Sequence, residues 1–371
     1  MKNWMWIWAL VIGAISASNC GQTPPDPGDP NRPEVDTKLI ELEYPDHFPE
    51  PYIPTNNPLT QAKVDLGKKL FFDPILSSDK SLSCASCHFQ ANAFSDPRPF
   101  SVGVGGAVGE EPQLRRNAPA LFNLAWHPAL FWDGAIEDPN RRNDQLENQA
   151  RVPIEATHEL NSNWPLVLER LNQDPDYPDD FWRAFGDTIT ERYVLRALAS
   201  FERTMVSTGS KYDQYIASGQ DSTVFTASEW RGFKLFFAES GTRHAECFHC
   251  HGGFNFDDPA GQFRNNGVFD VYEDRGRILL TGNPFDEGKF KVPSLRNIEY
   301  SAPYMHDGSI ATLEEVIDRY VEVGAPTYNR HPNADLLIEN IRITESDKTD
   351  LLAFLKALSD PGFINNPAFQ P

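Results

Sequence analysis

The chain has 371 residues, of which 40% are hydrophobic and 23% are charged, a composition typical of soluble globular proteins rather than disordered or polytopic membrane chains. Its length suggests two domains of ordinary size. Asp and Glu outnumber Lys and Arg by 53 to 33, which gives a net charge of −20. Because contacts with phosphates need clustered basic side chains, this charge argues against a nucleic-acid partner.

The chain begins with the pattern of a secretory signal. Residues 1–19 contain Lys2 followed by an apolar stretch at 4–15, which is too short to span a bilayer as a permanent helix. Cys20 resembles the acylated cysteine of a bacterial lipoprotein, and the alternative is cleavage nearby and a free periplasmic protein. Residues 20–50, rich in Pro and Asp, are predicted to be a tether. The sequence therefore predicts a protein of the periplasm or cell envelope, held to a membrane only by a lipid at Cys20.

Three blocks of sequence occur twice in the same order: an amphipathic segment before a cysteine pair, a stretch leading from Pro to Asp-Gly, and a closing helix. Thr344 and Asp347 have the spacing of a capping box at the second closing helix. Strand patterns are scarce, so the predicted fold class is mainly α with long loops. The duplication predicts two domains of similar plan, at residues 51–212 and 213–371. The blocks lie at residues 67–72, 119–134 and 189–201, and again at 232–237, 293–308 and 343–358.

Each copy contains a C-x-x-C-H motif, Cys84-Ala-Ser-Cys87-His88 in the first and Cys247-Phe-His-Cys250-His251 in the second. In this motif the two thiols form thioethers with one haem, and the His that follows binds the iron. The alternative is a single zinc site built from all four thiolates, which would not explain a His directly after each second cysteine. The sequence therefore predicts two covalently bound haem c groups, with the two motif histidines as iron ligands. His249, inside the second motif, is expected to be a surface residue.

The two copies differ where a second iron ligand would stand. Their alignment puts Pro153 opposite Tyr320. A tyrosinate oxygen can bind ferric haem, whereas proline offers no ligand atom. The sequence therefore predicts one haem held by His251 and Tyr320 and one with an open face above His88. The alternative is that Tyr320 is simply an aromatic residue in a helical stripe.

An open haem face can bind a peroxide, and cleavage of its O–O bond needs a group that moves a proton between the two oxygens. Glu159, six residues past Pro153, is the best placed carboxylate, and Gln149 lies one helical turn before that proline. The alternative is that both side chains are solvated. His127 is the nearby imidazole that could close the first haem, but a surface or core position is expected for it. His306 is expected to hold a haem propionate or a loop.

Residues 58–358 resemble the bacterial di-haem cytochrome c peroxidase and MauG family. The resemblance is carried by the spacing of Gln149, Pro153 and Glu159, and by four short motifs. These motifs are Arg116-Asn-Ala-Pro119, Phe131-Trp-Asp-Gly134, Lys291-Val-Pro-Ser-Leu-Arg-Asn297 and Ala302-Pro-Tyr-Met-His-Asp-Gly308. The resemblance implies cytochrome c-like domains, with Glu159 and Gln149 as the residues that handle peroxide. It also implies that Trp132 relays electrons between the haems.

The resemblance further implies a calcium ion between the domains, held by the Asn117 side chain and the carbonyls of Ser301 and Pro303. Peroxidases of the family use Met at the position of Tyr320, whereas MauG and its relatives use Tyr. MauG oxidises a partner protein through a surface Trp just before its second haem motif, and that position here is Ala245.

The leading prediction is a peroxidase that reduces hydrogen peroxide to water with electrons from a small cytochrome or cupredoxin. The resemblance also implies the homodimer that is common in the family. Two alternatives stay open at this point. One is the oxidative modification of a partner protein, and the other is a di-haem electron carrier without peroxide chemistry. The carrier would need two six-coordinate irons, and Pro153 argues against that.

Overall fold

The computed structural model describes residues 32–127, 129–137, 144–238, 244–258 and 260–371. The predicted signal segment and Cys20 lie outside these residues. None of the described helices is long and apolar enough to cross a membrane. The mainly α fold class is confirmed, because helices joined by long loops make up the protein. Its strands are two residues long and pair as antiparallel ladders, β1 (Ala129–Leu130) with β2 (Ile136–Glu137) and β3 (Phe263–Arg264) with β4 (Phe290–Lys291).

The helices follow the order of the duplicated blocks. Those of the first half are α1 (Gln61–Phe72), α2 (Gln145–Glu155), α3 (Trp164–Gln173), α4 (Tyr177–Phe185) and α5 (Glu191–Thr204). A short helix, α6 (Lys211–Ala217), connects the halves. Those of the second half are α7 (Ala227–Phe236), α8 (Ile278–Thr281), α9 (Leu313–Val323), α10 (Glu345–Lys356) and α11 (Pro361–Ile364).

The two closing helices, α5 and α10, begin at side-chain caps. Thr190 accepts a hydrogen bond from the N–H of Tyr193 at 3.4 Å. Thr344 and Asp347 form the predicted capping box, in which the N–H of Thr344 donates to Asp347 Oδ2 at 2.8 Å. Such caps satisfy N–H groups that the first helical turn leaves without partners, so both start points are set by local sequence.

One helix crossing occurs in both halves. A Cβ atom added to Gly67 of α1 would lie 1.9 Å from the carbonyl oxygen of Ala197 in α5. At Gly232 of α7, the same atom would lie 1.9 Å from the carbonyl oxygen of Asp350 in α10. Only glycine allows two helix backbones to approach this closely. The crossing shows that the two sequence copies fold in the same way.

The hydrophobic core has two large clusters. The first surrounds Phe71, Phe94 and Phe201, and the second surrounds Phe236 and Phe354. The C-terminal segment crosses from the second half to the first, because Phe363 of α11 and the nearby Phe369 are buried in the first cluster. The end of the chain is therefore part of the packing around the first haem motif.

The region before α1 also packs against both halves. Phe48 is buried beside Trp126, and its ring centroid lies 4.5 Å from that of Phe254. His47 lies 3.1 Å from Asp213, a carboxylate that forms a bidentate, buried pair with Arg296. Within the described residues, the later part of the predicted tether is thus attached to the folded protein.

A buried ion cluster joins the halves at the motif that begins with Arg116. The Arg116 guanidinium donates to Asp133 at 2.6 Å and to Asp274 at 2.6 and 3.0 Å. Burial opposes ionisation of Asp274, but Arg116 outweighs it, so the pKa of this carboxyl is lower than usual. Because a buried charge is costly without a partner, the cluster sets how the first half meets the second.

The helix crossing can be tested at Gly67. Replacing a helical Gly with Ala normally stabilises a helix by about 1 kcal/mol. Here we expect Gly67→Ala to destabilise the protein by about 1–3 kcal/mol, because the added methyl group would overlap the Ala197 carbonyl and displace α5. Denaturant unfolding of the haem-loaded protein measures the change.

Asp65→Ala, on the exposed face of the same helix, is the matched control and should change the stability by no more than about 0.5 kcal/mol. A Gly67→Ala variant as stable as the wild type would contradict the crossing.

Candidate functional site

The first C-x-x-C-H motif forms a short 3-10 helix at Cys84–Ser86, and the N–H of His88 donates to the Cys84 carbonyl at 3.0 Å. Both cysteines and His88 line one cavity. The Nδ1 atom of His88 lies 2.7 Å from the carbonyl oxygen of Phe94. This bond fixes the ring and leaves Nε2 to face the cavity as an electron-pair donor. Burial lowers the pKa of His88, which favours the neutral form that binds metals.

The second motif repeats this arrangement. Cys247, Cys250 and His251 line a second, larger cavity of about 280 Å³. The Nδ1 atom of His251 lies 3.1 Å from the carbonyl oxygen of Pro293 and 3.3 Å from that of Phe256. Burial lowers the pKa of this ring too. In both halves the protein therefore presents a neutral, oriented imidazole beside two cysteines.

The four cysteines fit thioether attachment and do not fit one zinc ion. The two pairs line different cavities, and no group of three or more His, Cys, Asp or Glu among the described residues could hold a metal ion. Burial raises the pKa of Cys84 and raises that of Cys247 to about 12. A thioether replaces the thiol proton without leaving a buried charge, so it suits cysteines in such an environment. The single zinc site considered above is therefore wrong.

The helices α2 and α9 place Pro153 and Tyr320 as their alignment predicts. Pro153 lies inside α2 and lines the first cavity, while Tyr320 lies inside α9 and lines the second. Burial raises the pKa of the Tyr320 phenol to about 12. For Tyr320 to bind iron, the metal would therefore have to displace the phenol proton, as metals do when they bind acidic side chains. The structure brings Tyr320 to the same cavity as His251.

Asn266 lies beside the Tyr320 hydroxyl, and nothing in the sequence pattern indicates it. Its Oδ1 accepts from the N–H of Val268 at 3.2 Å, so the amide is oriented with Nδ2 towards the phenol oxygen at 3.4 Å. A donor in this place stabilises negative charge on the oxygen and keeps the ring in position. The two residues are 54 positions apart, so their contact exists only in the folded protein.

Glu159 and Gln149 both line the first cavity. Glu159 follows α2 in a tight turn, and its carbonyl accepts from the N–H of Val104 at 2.9 Å. The loop that carries Gly103 lies so close that a Cβ there would be 2.3 Å from the His158 carbonyl oxygen. Burial raises the pKa of Glu159 to about 7. The structure thus brings the two predicted peroxide-handling residues to one cavity with Pro153.

Trp132 lies where the two halves meet. Its indole N–H donates to the Asn117 carbonyl at 2.9 Å, and its own carbonyl accepts from the N–H of Lys291 in β4 at 2.6 Å. The ring lines the second cavity. These bonds hold the indole at a fixed place in the wall of the cavity that contains His251, and a relay between the haems stays a prediction.

The predicted calcium ligands come together in the fold. Asn117, Ser301 and Pro303 all line the second cavity. The Asn117 amide nitrogen donates to the carbonyls of Asp96 at 3.0 Å and Arg98 at 2.8 Å, so its Oδ1 is the atom that would meet a cation. Oxygen donors of this kind suit Ca²⁺, and the ion itself stays a prediction.

His127, His306 and His249 lie away from the first cavity. His127 is buried, lines the second cavity and lies 3.2 Å from Asp257, so it is a core residue and does not close the first haem. His306 stacks on Phe290 with centroids 3.9 Å apart. The His249 side chain is 34% exposed, in agreement with its expected surface position.

Comparison with known proteins identifies the family. The model of the di-haem cytochrome c peroxidase family matches residues 61–222. The chain is 36% identical to the methylamine utilization protein MauG of Methylorubrum extorquens, over 97% of this chain and 96% of that protein. It is 33% identical to the cytochrome c551 peroxidase of Nitrosomonas europaea, over 83% of this chain and 86% of that protein.

Among solved structures, a MauG-like protein associated with microbial copper homeostasis is similar at a TM-score of 0.78 and 36% identity, over 90% of this chain and 99% of that one. The two cysteine pairs with their oriented histidines agree with these matches. The chain therefore belongs to the family of di-haem cytochrome c peroxidases and MauG proteins, which carry two haem c groups.

Proposed function

We propose that this protein is a peroxidase that reduces hydrogen peroxide to water in the cavity at His88. The observation that carries the proposal is the contrast between the two cavities. The first has Pro153 where the second has Tyr320, so only the first leaves an iron face without a side-chain ligand. The cytochrome c551 peroxidase of Nitrosomonas europaea, a relative over most of the chain, supports this function.

The side chains of the first cavity handle the protons of the reaction. The bound haem would supply an iron that polarises one peroxide oxygen, and a store of electrons. Glu159 takes the proton from the near oxygen and returns it to the leaving oxygen. Since burial raises its pKa to about 7, its acid and base forms are both populated near neutral pH. The Gln149 amide donates a hydrogen bond that orients the peroxide.

The second cavity would be the site at which electrons from the donor protein enter. Cys247, Cys250, His251 and Tyr320 would hold a haem that supplies a site for electrons from a small cytochrome or cupredoxin, and Trp132 would be the relay towards the first cavity. An anionic oxygen ligand stabilises the ferric state and so lowers the potential of this haem. Asn117 and the carbonyls of Ser301 and Pro303 would hold a calcium ion between the halves, which would keep this path in place.

The organisation of the chain completes the proposal. The domains comprise residues 51–212 and 213–371, each with one haem. A lipid at Cys20 anchors the protein in the periplasm or cell envelope, and the family's homodimer forms there. The contacts that Phe48 and Phe363 make across the halves support one rigid unit for each subunit.

A second candidate function is the oxidation of a partner protein. It is favoured by Tyr320 and by the match to MauG over 97% of this chain. The residue at the position of the family's surface Trp is Ala245, which is 3% exposed and lines the second cavity. Electrons from a partner protein would therefore need a different route. A modified Trp or Tyr in a partner protein incubated with this protein and peroxide would identify this function.

The role of Glu159 predicts the outcome of Glu159→Gln. The amide cannot accept the peroxide proton, so kcat/KM for peroxide should fall by about a hundredfold or more. In the wild type, kcat/KM should rise as the pH rises through about 7, because the base form is the one that reacts first. Stopped-flow mixing with peroxide measures both effects.

Glu155→Gln changes an exposed carboxylate at the end of α2, four residues before Glu159, and keeps an acceptor for the Trp164 N–H. It should react like the wild type. Full activity in Glu159→Gln would exclude the assigned role.

The role of Tyr320 predicts the outcome of Tyr320→Phe. The second haem should lose its low-spin ferric EPR signal and rise in potential, because its anionic ligand is gone. The high-spin signal of the first haem should stay. Tyr304→Phe is the control, since Tyr304 lines the same cavity but donates its hydroxyl to the Ile298 carbonyl at 3.0 Å. An unchanged low-spin signal in Tyr320→Phe would show that another group binds the iron.

A further inference from the structure

The first cavity contains a second carboxyl group that the mechanism above does not use. Glu202, in the last turn of α5, lines this cavity together with Glu159. Its side chain is buried, with the residue 5% exposed, and its Oε2 atom has no hydrogen-bond partner among the described residues. A buried carboxylate without a partner is strongly disfavoured, whereas a neutral carboxylic acid is tolerated. The position therefore favours a carboxyl group that holds its proton.

The internal duplication shows that the fold does not need an acid here. The crossings at Gly67 and Gly232 align Phe201 of α5 with Phe354 of α10, because these residues meet the two glycines in the same way. In this register Glu202 corresponds to Leu355. Leu355 lines the second cavity just as Glu202 lines the first. A leucine fills this place in the half with a Tyr ligand, and an acid occurs only in the half with the open face.

The charges around Glu202 do not neutralise it. Arg203, its neighbour on α5, is committed to Glu147 of α2 by two hydrogen bonds of 2.7 and 2.8 Å between buried side chains. The haem-binding loop presents Cys84, and α1 presents the apolar ring of Phe71. Burial raises the pKa of Glu202 to about 8, Arg203 lowers it and Glu147 raises it. Near neutral pH this side chain is mostly protonated.

We propose that Glu202 is the proton reservoir of the first cavity. The inference rests on the proposed peroxidase function. The reaction is H2O2 + 2 e− + 2 H+ → 2 H2O, with the electrons supplied by the donor protein. Glu159 moves a proton from one peroxide oxygen to the other as the O–O bond breaks, and adds none. Both protons of the equation must therefore enter the cavity. Glu202 gives one as its carboxylic acid becomes a carboxylate, the second is a proton taken up from bulk solvent, and a further solvent proton then restores the acid form of Glu202.

The first experiment does not depend on peroxide. In haem-loaded protein carrying Glu159→Gln, the infrared C=O band of a buried protonated carboxyl should be present, and it should fade as the pH rises through about 8. Adding Glu202→Gln should remove this band. Absence of the band at pH 6, or a band that persists in the double variant, would overturn the assignment of Glu202.

The second experiment measures turnover. Glu202→Gln should lower kcat by about tenfold with KM for peroxide unchanged, because proton supply and not peroxide binding is impaired. The fall of kcat above pH 8 in the wild type should disappear. Glu202→Leu reproduces the residue of the second half and should lose the same activity at full haem content, whereas Glu202→Asp should recover part of it.

These results separate the reservoir from a packing role and from the proposed function. A Gln variant with wild-type kcat and pH profile, or a Leu variant with wild-type kcat, would overturn the reservoir. A wild-type protein that does not reduce peroxide would contradict the peroxidase instead, while the infrared band would still report the state of Glu202.

Discussion

The close approach of two helix backbones at a glycine is the constraint on which each half of the protein depends. At Gly67 and at Gly232, the helix before the haem motif crosses the closing helix with no room for a side chain. The crossing fixes the register of the closing helix, and with it the residues that face each cavity. It also delivers the cysteine motif to one end of the helix pair, so that both cysteines and the following His line the same space.

Within this repeated frame, a few substitutions give the two cavities different chemistry. The first has Gln149 and Glu202 where the second has Val316 and Leu355, and all four line their cavities. The second has Tyr320 where the first has Pro153. At these aligned positions the first cavity has an amide and a carboxyl group where the second has two apolar side chains, while the second has a phenol where the first has a proline. A cavity with exchangeable protons suits the proposed peroxide reduction, and a phenol that can bind iron suits the proposed electron-storing haem.

The seam between the halves ties these two sites together. Arg116 holds Asp274 across it, and Trp132 is bonded to Asn117 on one side and to Lys291 on the other. Two segments reinforce the seam from the chain ends, since Phe48 packs on Phe254 and the C-terminal segment enters the first core. A path for electrons between two haems requires fixed separation, and this interlocked packing provides a rigid setting for it.

The sequence by itself determined the features that depend on neighbouring residues. Each cysteine motif places its two thiols and its histidine within five positions, and the capping box at Thr344 forms within one helical turn. The repeated blocks are visible in the sequence without coordinates. These features established the mainly helical fold, the haem attachment and the contrast of Pro153 with Tyr320. Each follows from local geometry, so no distant contact was needed to find it.

Only the tertiary structure decided which side chains from distant parts of the chain share a cavity. It placed Asn266 at Tyr320, turned His127 towards Asp257 and away from the first iron site, and put Glu202 beside Glu159. The helix crossing aligned Glu202 with Leu355, one residue away from the offset of the Ile-Thr-Glu blocks, and the structure showed the burial of this carboxyl and an Oε2 atom without a partner among the described residues. Burial, hydrogen-bond partners and the resulting proton affinity depend on the packing of whole helices, which local sequence patterns do not specify.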